Sequence, residues 1–259
     1  MNSIEIKIEN KVAYIALNRP EVFNSFNREM ALRLQSILDD CESNDDIRAI
    51  VLRGNGKAFC AGQDLKEVTS PELNPGFKKI LEEHYNPIIM RLRSIKKPII
   101  GAVNGVAAGA GANIALACDI VLAHEKVSFI QAFSLIGLVP DSAGTFFLPR
   151  LIGFQKAQAL AMLGDKISAE EAEKMGMIYR CVSLDSFEET VSQLAEKLAN
   201  MPTKALGFIK ELFNKSMTNT LEDQLALESK LQIKAASSND YVEGVAAFIE
   251  KRKPNFKGN

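Results

Sequence analysis

The sequence predicts an α/β fold, a core of alternating strands and helices followed by a helical C-terminal region. Three observations predict it. Strand-like and helix-like patterns alternate over residues 47–129, which implies parallel crossovers. The apolar run Pro98-Ile99-Ile100-Gly101-Ala102-Val103 feeds a Gly-rich turn and then the Ala-rich helical pattern Ile114-Ala115-Leu116-Ala117. From about Ser142 onward the spacing is mainly helical.

Each element follows from its own pattern. Ile4-Glu5-Ile6-Lys7-Ile8 alternates apolar and charged residues, and Val12 to Leu17 follows a short polar turn, so the two read as an N-terminal hairpin. Asn18-Arg19-Pro20 ends it. Asn27 is placed to cap a helix running to about Cys41, with Met30, Leu34, Ile37 and Leu38 on one face. Ile47 to Leu52 is a short strand, and Arg53 to Lys57 is its turn. Residues 65–78 are less regular, with Pro71, Pro75 and Gly76, and read as a mobile loop beside a ligand site. Helical spacing returns from about Phe77 to Ile95. A strand then starts at Pro98, and Asp119–Ala123 and Val127–Phe129 read as two more. Ser168-Ala169-Glu170-Glu171 has the form of a capping box. Met177 to Val182 is a last strand, and helices cover about 186–200, 203–215, 221–236 and 240–251.

Composition narrows the function classes. The chain has 259 residues, enough for one large domain or two small ones, and the hydrophobic and charged fractions of 47% and 24% are those of a soluble globular protein. A formal net charge of -1 gives no footprint for nucleic acid or an anionic membrane. No apolar run is long enough to span a bilayer, and the N-terminus has no signal-peptide pattern. Cys41, Cys60, Cys118 and Cys181 are scattered without metal-ligand spacing, so they read as reduced thiols in a cytoplasmic protein. With His84 and His124 as the only histidines, a His-centred triad or multi-His metal site is not expected. The Gly105–Gly111 turn is superficially like a dinucleotide loop, but the acidic ribose-binding residue about 20 positions on is missing, where the chain reads Phe129-Ile130-Gln131.

The chemistry concentrates in two small-residue turns, Phe59-Cys60-Ala61-Gly62-Gln63-Asp64 and Val106-Ala107-Ala108-Gly109-Ala110-Gly111. Small residues let backbone approach a ligand closely, and the first N–H groups of a helix have no partner inside it. One N–H from each turn makes an oxyanion hole, which favours an anionic transition state over the ground-state carbonyl.

At these turns the chain resembles the crotonase (enoyl-CoA hydratase/isomerase) superfamily, and the resemblance runs nearly end to end. Leu17-Asn18-Arg19-Pro20, Phe59 to Leu65, Ala102-Val103-Asn104-Gly105, Cys118-Asp119-Ile120 and the tail Phe248 to Phe256 carry it. It implies a ββα spiral core, acyl-CoA thioester substrates and a thioester enolate held by two backbone N–H groups. By motif position these belong to Ala61 and to Ala110, where the family usually has glycine. It implies CoA contacts near Val22-Phe23-Asn24 and from Ala61 through Gly62 and Gln63 to Asp64 and Leu65, with Gly109 lining the second turn. Lys57, Lys66 and the tail lysines are candidates for the phosphates. No metal or redox cofactor is expected, because coenzyme A belongs to the substrate. The family assembles as trimers or dimers of trimers. On that basis residues 1–200 are the acyl-CoA-binding core and residues 201–259 a helical trimerisation or cover region of the same unit.

The chain departs from the family's hydratases. Their two water-holding glutamates fall at Asn113 and Phe133, and neither position carries a carboxylate. An amide takes no proton at neutral pH and a phenyl ring cannot orient water. Asn113 is either core filler or a hydrogen bond to the acyl group, and Phe133 is pocket wall or core. One carboxylate remains nearby, Asp141. Local sequence alone makes it a helix cap, since it follows Pro140 and precedes Ser-Ala-Gly-Thr. In the family's isomerases, which shift double bonds or rearrange the ring epoxide of 1,2-epoxyphenylacetyl-CoA, an acidic residue in this stretch shuttles a proton. The resemblance to that ring-isomerising branch is especially close, so Asp141 is expected to be the acid/base. Phe129, Phe133, Phe146 and Phe147 are expected to form an apolar pocket that raises its pKa. The alternatives are a hydratase-like enzyme with atypical water activation and a catalytically silent acyl-CoA-binding subunit. Asp64 is also placed to cap a short helix at Leu65-Lys66-Glu67.

Overall fold

The computed structural model describes residues 2–259. Ten strands form two sheets: β1 (Ile4–Glu9), β2 (Val12–Leu17), β3 (Ala49–Gly54), β4 (Ala58–Cys60), β5 (Ile99–Val103), β6 (Val106–Ala108), β7 (Ile120–His124), β8 (Ser128–Ile130), β9 (Lys166–Ser168) and β10 (Arg180–Val182). The larger sheet has the order β1-β2-β3-β5-β7-β10, and the smaller has the order β4-β6-β8-β9. In the larger sheet only the β1–β2 hairpin is antiparallel; in the smaller only β8–β9 is.

The spiral arises from three successive strand pairs. β3 and β4, β5 and β6, and β7 and β8 each turn a corner within a few residues, leaving one strand in each sheet. The β5–β6 corner needs Gly105, where a Cβ would lie 2.2 Å from the carbonyl oxygen of Lys57. Both faces of the larger sheet are covered, as parallel strands require. Ile50 and Leu52 of β3 face the main core. Ala49 and Val51 face a second core made with Val191, Ala195 and Leu198 of the Phe187–Ala199 helix.

Local signals explain several of the helix starts. Asn27 accepts a hydrogen bond from Met30 N at 3.0 Å and so caps the Arg28–Ser43 helix. Ser168 and Glu171 form the expected capping box. The sheet strand expected at 47–52 lies instead at 49–54, because Ile47 N is held by Asn44 O and pairing with β2 starts at Ala49. The last strand is shorter than expected and starts at Arg180. The irregular stretch after Asp64 opens with a short helix, Leu65–Thr69. The helical run that begins at Phe77 is not uniform: Ile80–Tyr85 winds as a π-helix before α-geometry resumes over Asn86–Ser94. After residue 200 come three helices, Thr203–Ser216, Leu221–Ala236 and Asn239–Glu250. The tail returns to the core, where Arg48 donates to Phe256 O at 2.8 Å and Asp240 accepts from Lys257 N and Gly258 N. Among the described residues no helix is long and apolar enough to cross a membrane.

Candidate active site

β4 and β6 are parallel neighbours, so the turns that follow them emerge side by side at their carboxyl ends. Ligands of α/β sheets bind at such ends. The Ala110–Leu116 helix packs against the first turn so closely that a Cβ on Gly111 would lie 2.3 Å from Cys60 O. A Cβ on Gly62 would sit 3.1 Å from Ala108 O and 3.5 Å from Ala110 N, so the two turns meet at this point. They form the floor of a cavity of about 790 Å³.

The direction of each N–H decides what the floor can bind. The Ala61 N–H, expected as a donor, is already donated to Phe23 O at 3.0 Å. It is therefore not free, and the expectation is corrected. Gly62 has φ +93°, a backbone conformation that favours glycine. Gln63 then forms a parallel bridge with Phe26, in which Phe26 N donates to Gly62 O (2.7 Å) and Asp64 N donates to Phe26 O (2.9 Å). In such a bridge the flanking groups point at the partner, and the N–H of the bridged residue points away. The Gln63 N–H accordingly faces away from Phe26. Among the described residues it is donated to no protein group, and neither is the Ala110 N–H. The geometry thus pairs Ala110 with Gln63.

Asp141 enters the cavity from the loop after β8. Its side chain is not a helix cap, since Ala143 is the N-cap residue and makes no side-chain bond; Asp141 contributes only its carbonyl oxygen, to Gly144 N at 2.9 Å. Burial raises the Asp141 carboxyl to about 6, against the opposing effect of a hydrogen bond from Ser142 Oγ at 2.9 Å. Ser142 and Ala143 both have positive φ (50° and 58°), so the chain is held in a left-handed turn beside the carboxyl.

Asp64 also reaches the cavity but is engaged. Arg19 pairs with it at 2.7 Å, and it caps the Leu65–Thr69 helix by accepting from Lys66 N at 2.9 Å. Gly62, Leu65, Gly109 and Phe133 line the cavity with Asp141. Two expected ligand contacts do not. Phe23 lies outside the cavity lining, exposed beside Val22, and its carbonyl accepts the Ala61 N–H. Asn113 is fully buried behind the floor, donating Nδ2–H to Asp141 O at 2.9 Å and accepting from Gln131 Nε2 at 2.8 Å.

The expected ring of phenylalanines is also absent. Phe133 alone of the four lines the cavity; Phe129 lies in the core, Phe147 packs near Arg93 and Phe146 lies under Arg150. Aliphatic walls replace them, from Val22, Ile80, Leu135, Ile136 and Leu138. Two further residues join the site. Tyr85 lines the cavity, and its hydroxyl donates to Gln63 Oε1 at 3.0 Å. Glu67 accepts from Gln63 Nε2 at 2.7 Å; the four-residue spacing of Gln63 and Glu67 at a helix start was the only available hint.

A two-sheet spiral with paired N–H groups and one desolvated carboxyl at its strand ends defines a crotonase-fold enzyme. The chain belongs to the enoyl-CoA hydratase/isomerase family, whose model matches residues 7–259. It is 47% identical over 262 residues to the 1,2-epoxyphenylacetyl-CoA isomerase of Escherichia coli K12, covering 100% of this chain and 99% of the relative. It is 43% identical over 257 residues to a protein of Rhodobacter capsulatus named a probable enoyl-CoA hydratase, covering 99% and 98%. Among solved structures, the enoyl-CoA hydratase from Bacillus anthracis superposes with a TM-score of 0.92 at 32% identity, covering 99% of this chain and 100% of that one.

Proposed function

We propose that this protein is an acyl-CoA isomerase in which Asp141 moves a proton along the acyl chain while a backbone oxyanion hole holds the thioester enolate. The observation that carries the reading is that the cavity offers one carboxyl without an ion-pair partner, Asp141, raised to about 6. A hydratase of this family needs a second group to hold water. The two places for it carry Asn113, which is turned into the Asp141 backbone, and the apolar Phe133.

The thioester oxygen accepts from the N–H groups of Gln63 and Ala110. Each such bond strengthens as charge moves onto oxygen, worth about 3–4 kcal/mol in the transition state. The Asp141 carboxylate removes a proton from the carbon α to the thioester, and the electron pair spreads over the conjugated enolate. The protonated acid then returns the proton at the γ-carbon, which moves the double bond and restores the carboxylate. A pKa near 6 suits both directions of transfer at neutral pH. The step has no redox change and calls for no redox cofactor. The similarity to the E. coli relative supports an unsaturated or ring-epoxidised aromatic acyl-CoA as substrate. Exposed Phe213, Phe248 and Ile249 on the C-terminal helices support a trimer or dimer of trimers.

A second reading, hydration with Asp141 alone activating water, is favoured by the similarity to the R. capsulatus relative. One experiment separates them. Exchange of α- and γ-protons of a 3-enoyl-CoA is followed by NMR in D₂O, beside crotonyl-CoA hydration, with the native protein and Asp141→Asn. Exchange and double-bond migration that vanish in the mutant support isomerisation; brisk crotonyl-CoA hydration overturns it.

A further inference from the structure

Gln63 is held at more points than a loop residue requires. Its backbone is bracketed by the two Phe26 bonds, and its side-chain amide is bracketed by Tyr85 and Glu67. A carboxylate can only accept, so Glu67 fixes the amide with nitrogen toward itself and oxygen toward Tyr85. The Tyr85 hydroxyl must then donate. Burial holds the Tyr85 phenol well above its ordinary pKa, which keeps the proton in place. Glu67 is anchored in turn by accepting from Arg28 N at 2.8 Å, and the Tyr85 ring stands edge-on to Phe26 with centroids 6.0 Å apart. One aromatic residue therefore supports both holds on Gln63.

Tyr85 reaches this place through a widened turn. It is the last residue of the π-helical segment Ile80–Tyr85, within a run that is otherwise α-helical. An inserted residue rotates everything after it by about 100° relative to a continuous α-helix. Such an insertion is tolerated where it delivers a side chain.

We propose that Tyr85 and Glu67 are positioning residues of the oxyanion hole, which clamp the Gln63 side-chain amide so that the Gln63 N–H is aimed into the cavity. The inference rests on the reading of the cavity as a thioester site. Donor aim matters because an oxyanion hole works by preorganisation, and a donor free to rotate must be reoriented at the moment of reaction.

The test uses phenylacetyl-CoA carrying ¹³C at the thioester carbonyl, which has acidic α-protons and no chain double bond to migrate. Isotope-edited infrared spectroscopy reads carbonyl polarisation in the bound state, and NMR in D₂O reads α-proton exchange. Tyr85→Phe keeps the ring and removes only the hydroxyl; Gln63→Met keeps the N–H and removes only the side-chain hydrogen bonds. Each is expected to shrink the carbonyl shift and slow exchange about tenfold, with dissociation constants within about threefold, a loss of aim rather than of binding. The double variant is expected to lose no more than either single one, because both break the same clamp. A Tyr85→Phe protein with an unaltered carbonyl shift, or losses that multiply in the double variant, overturns the proposal. No carbonyl shift in the native protein overturns the thioester reading and the clamp with it; a native shift that both variants leave untouched overturns the clamp alone.

Discussion

Replacing Asp141 by asparagine is expected to stabilise the protein while abolishing its chemistry. The carboxyl is raised from 3.8 to about 6 because it is desolvated beneath the cavity wall. A carboxyl with a higher pKa folded than unfolded binds its proton more tightly in the folded state. Between about pH 4 and 6 the folded protein holds more protons, so stability falls as pH rises through that window and stays lowered above it. A displacement of about two pH units at ~1.4 kcal/mol each gives an upper figure near 3 kcal/mol. Solvent at the cavity mouth reduces it, so about 1–3 kcal/mol is expected. The substituted amide keeps the volume and the acceptor for Ser142 Oγ and carries no charge, so it recovers this energy. At about 2 °C per kcal/mol for a chain of this size, the melting point rises by about 2–6 °C at pH 8. The assay is thermal and urea unfolding of both proteins at one concentration, from pH 4 to 8. The difference should be near zero at pH 4, grow towards pH 6 and then level off. Over the same series turnover falls by about 10²–10⁴-fold, the usual loss of a general acid/base. A difference independent of pH, or a mutant less stable at pH 8, refutes the reasoning.

Three further outcomes follow from other parts of the molecule. Ala110 is the first residue of its helix, where proline is tolerated, so Ala110→Pro should fold while losing the N–H and about 10²–10³-fold in turnover; circular dichroism and proton exchange measured together check this. Arg19→Met leaves the largely buried Asp64 carboxylate without its ion-pair partner and should cost about 2–4 kcal/mol in urea unfolding, whereas a cost below ~1 kcal/mol would place the pair with surface salt bridges. Burial pushes the thiols of Cys60 and Cys118 up to about 12 and that of Cys41 up to about 11; Cys181 is raised too but is only half-buried, so a thiol reagent at pH 8 should label Cys181 first and the three buried thiols only on unfolding.

The larger sheet was legible because its strands carry long one-sided or two-sided apolar patterns, as in Ile99–Val103 and Ile120–His124. The smaller sheet was legible only at Val127–Phe129, one residue from the observed Ser128–Ile130, because each of its strands is three residues long, too short for a period to register. Ala58–Cys60 and Val106–Ala108 become strands only because the corners at Gly54 and Gly105 bring them together. The same limit explains the shift from Ala61 to Gln63. A motif gives the turn that supplies a donor, but which N–H in the turn is free depends on a carbonyl delivered from Phe23, nearly forty residues away in the chain. Asp141 was visible only through the family resemblance, since by local sequence it looks like a cap. Phe146 and Phe147 failed as pocket residues because the Gly144–Ile152 helix places them against Arg150 and toward Arg93, a matter of helix rotation that composition does not carry. Tyr85 had no signal at all, because helical spacing over 77–95 hides a π-turn that changes which face the residue occupies. What the chain spells out locally is therefore the frame, while the aim of each polar group in the site is set by contacts between segments remote in sequence. Phe26→Leu, which removes the ring standing edge-on to Tyr85, is accordingly expected to alter turnover through Gln63 without touching the cavity.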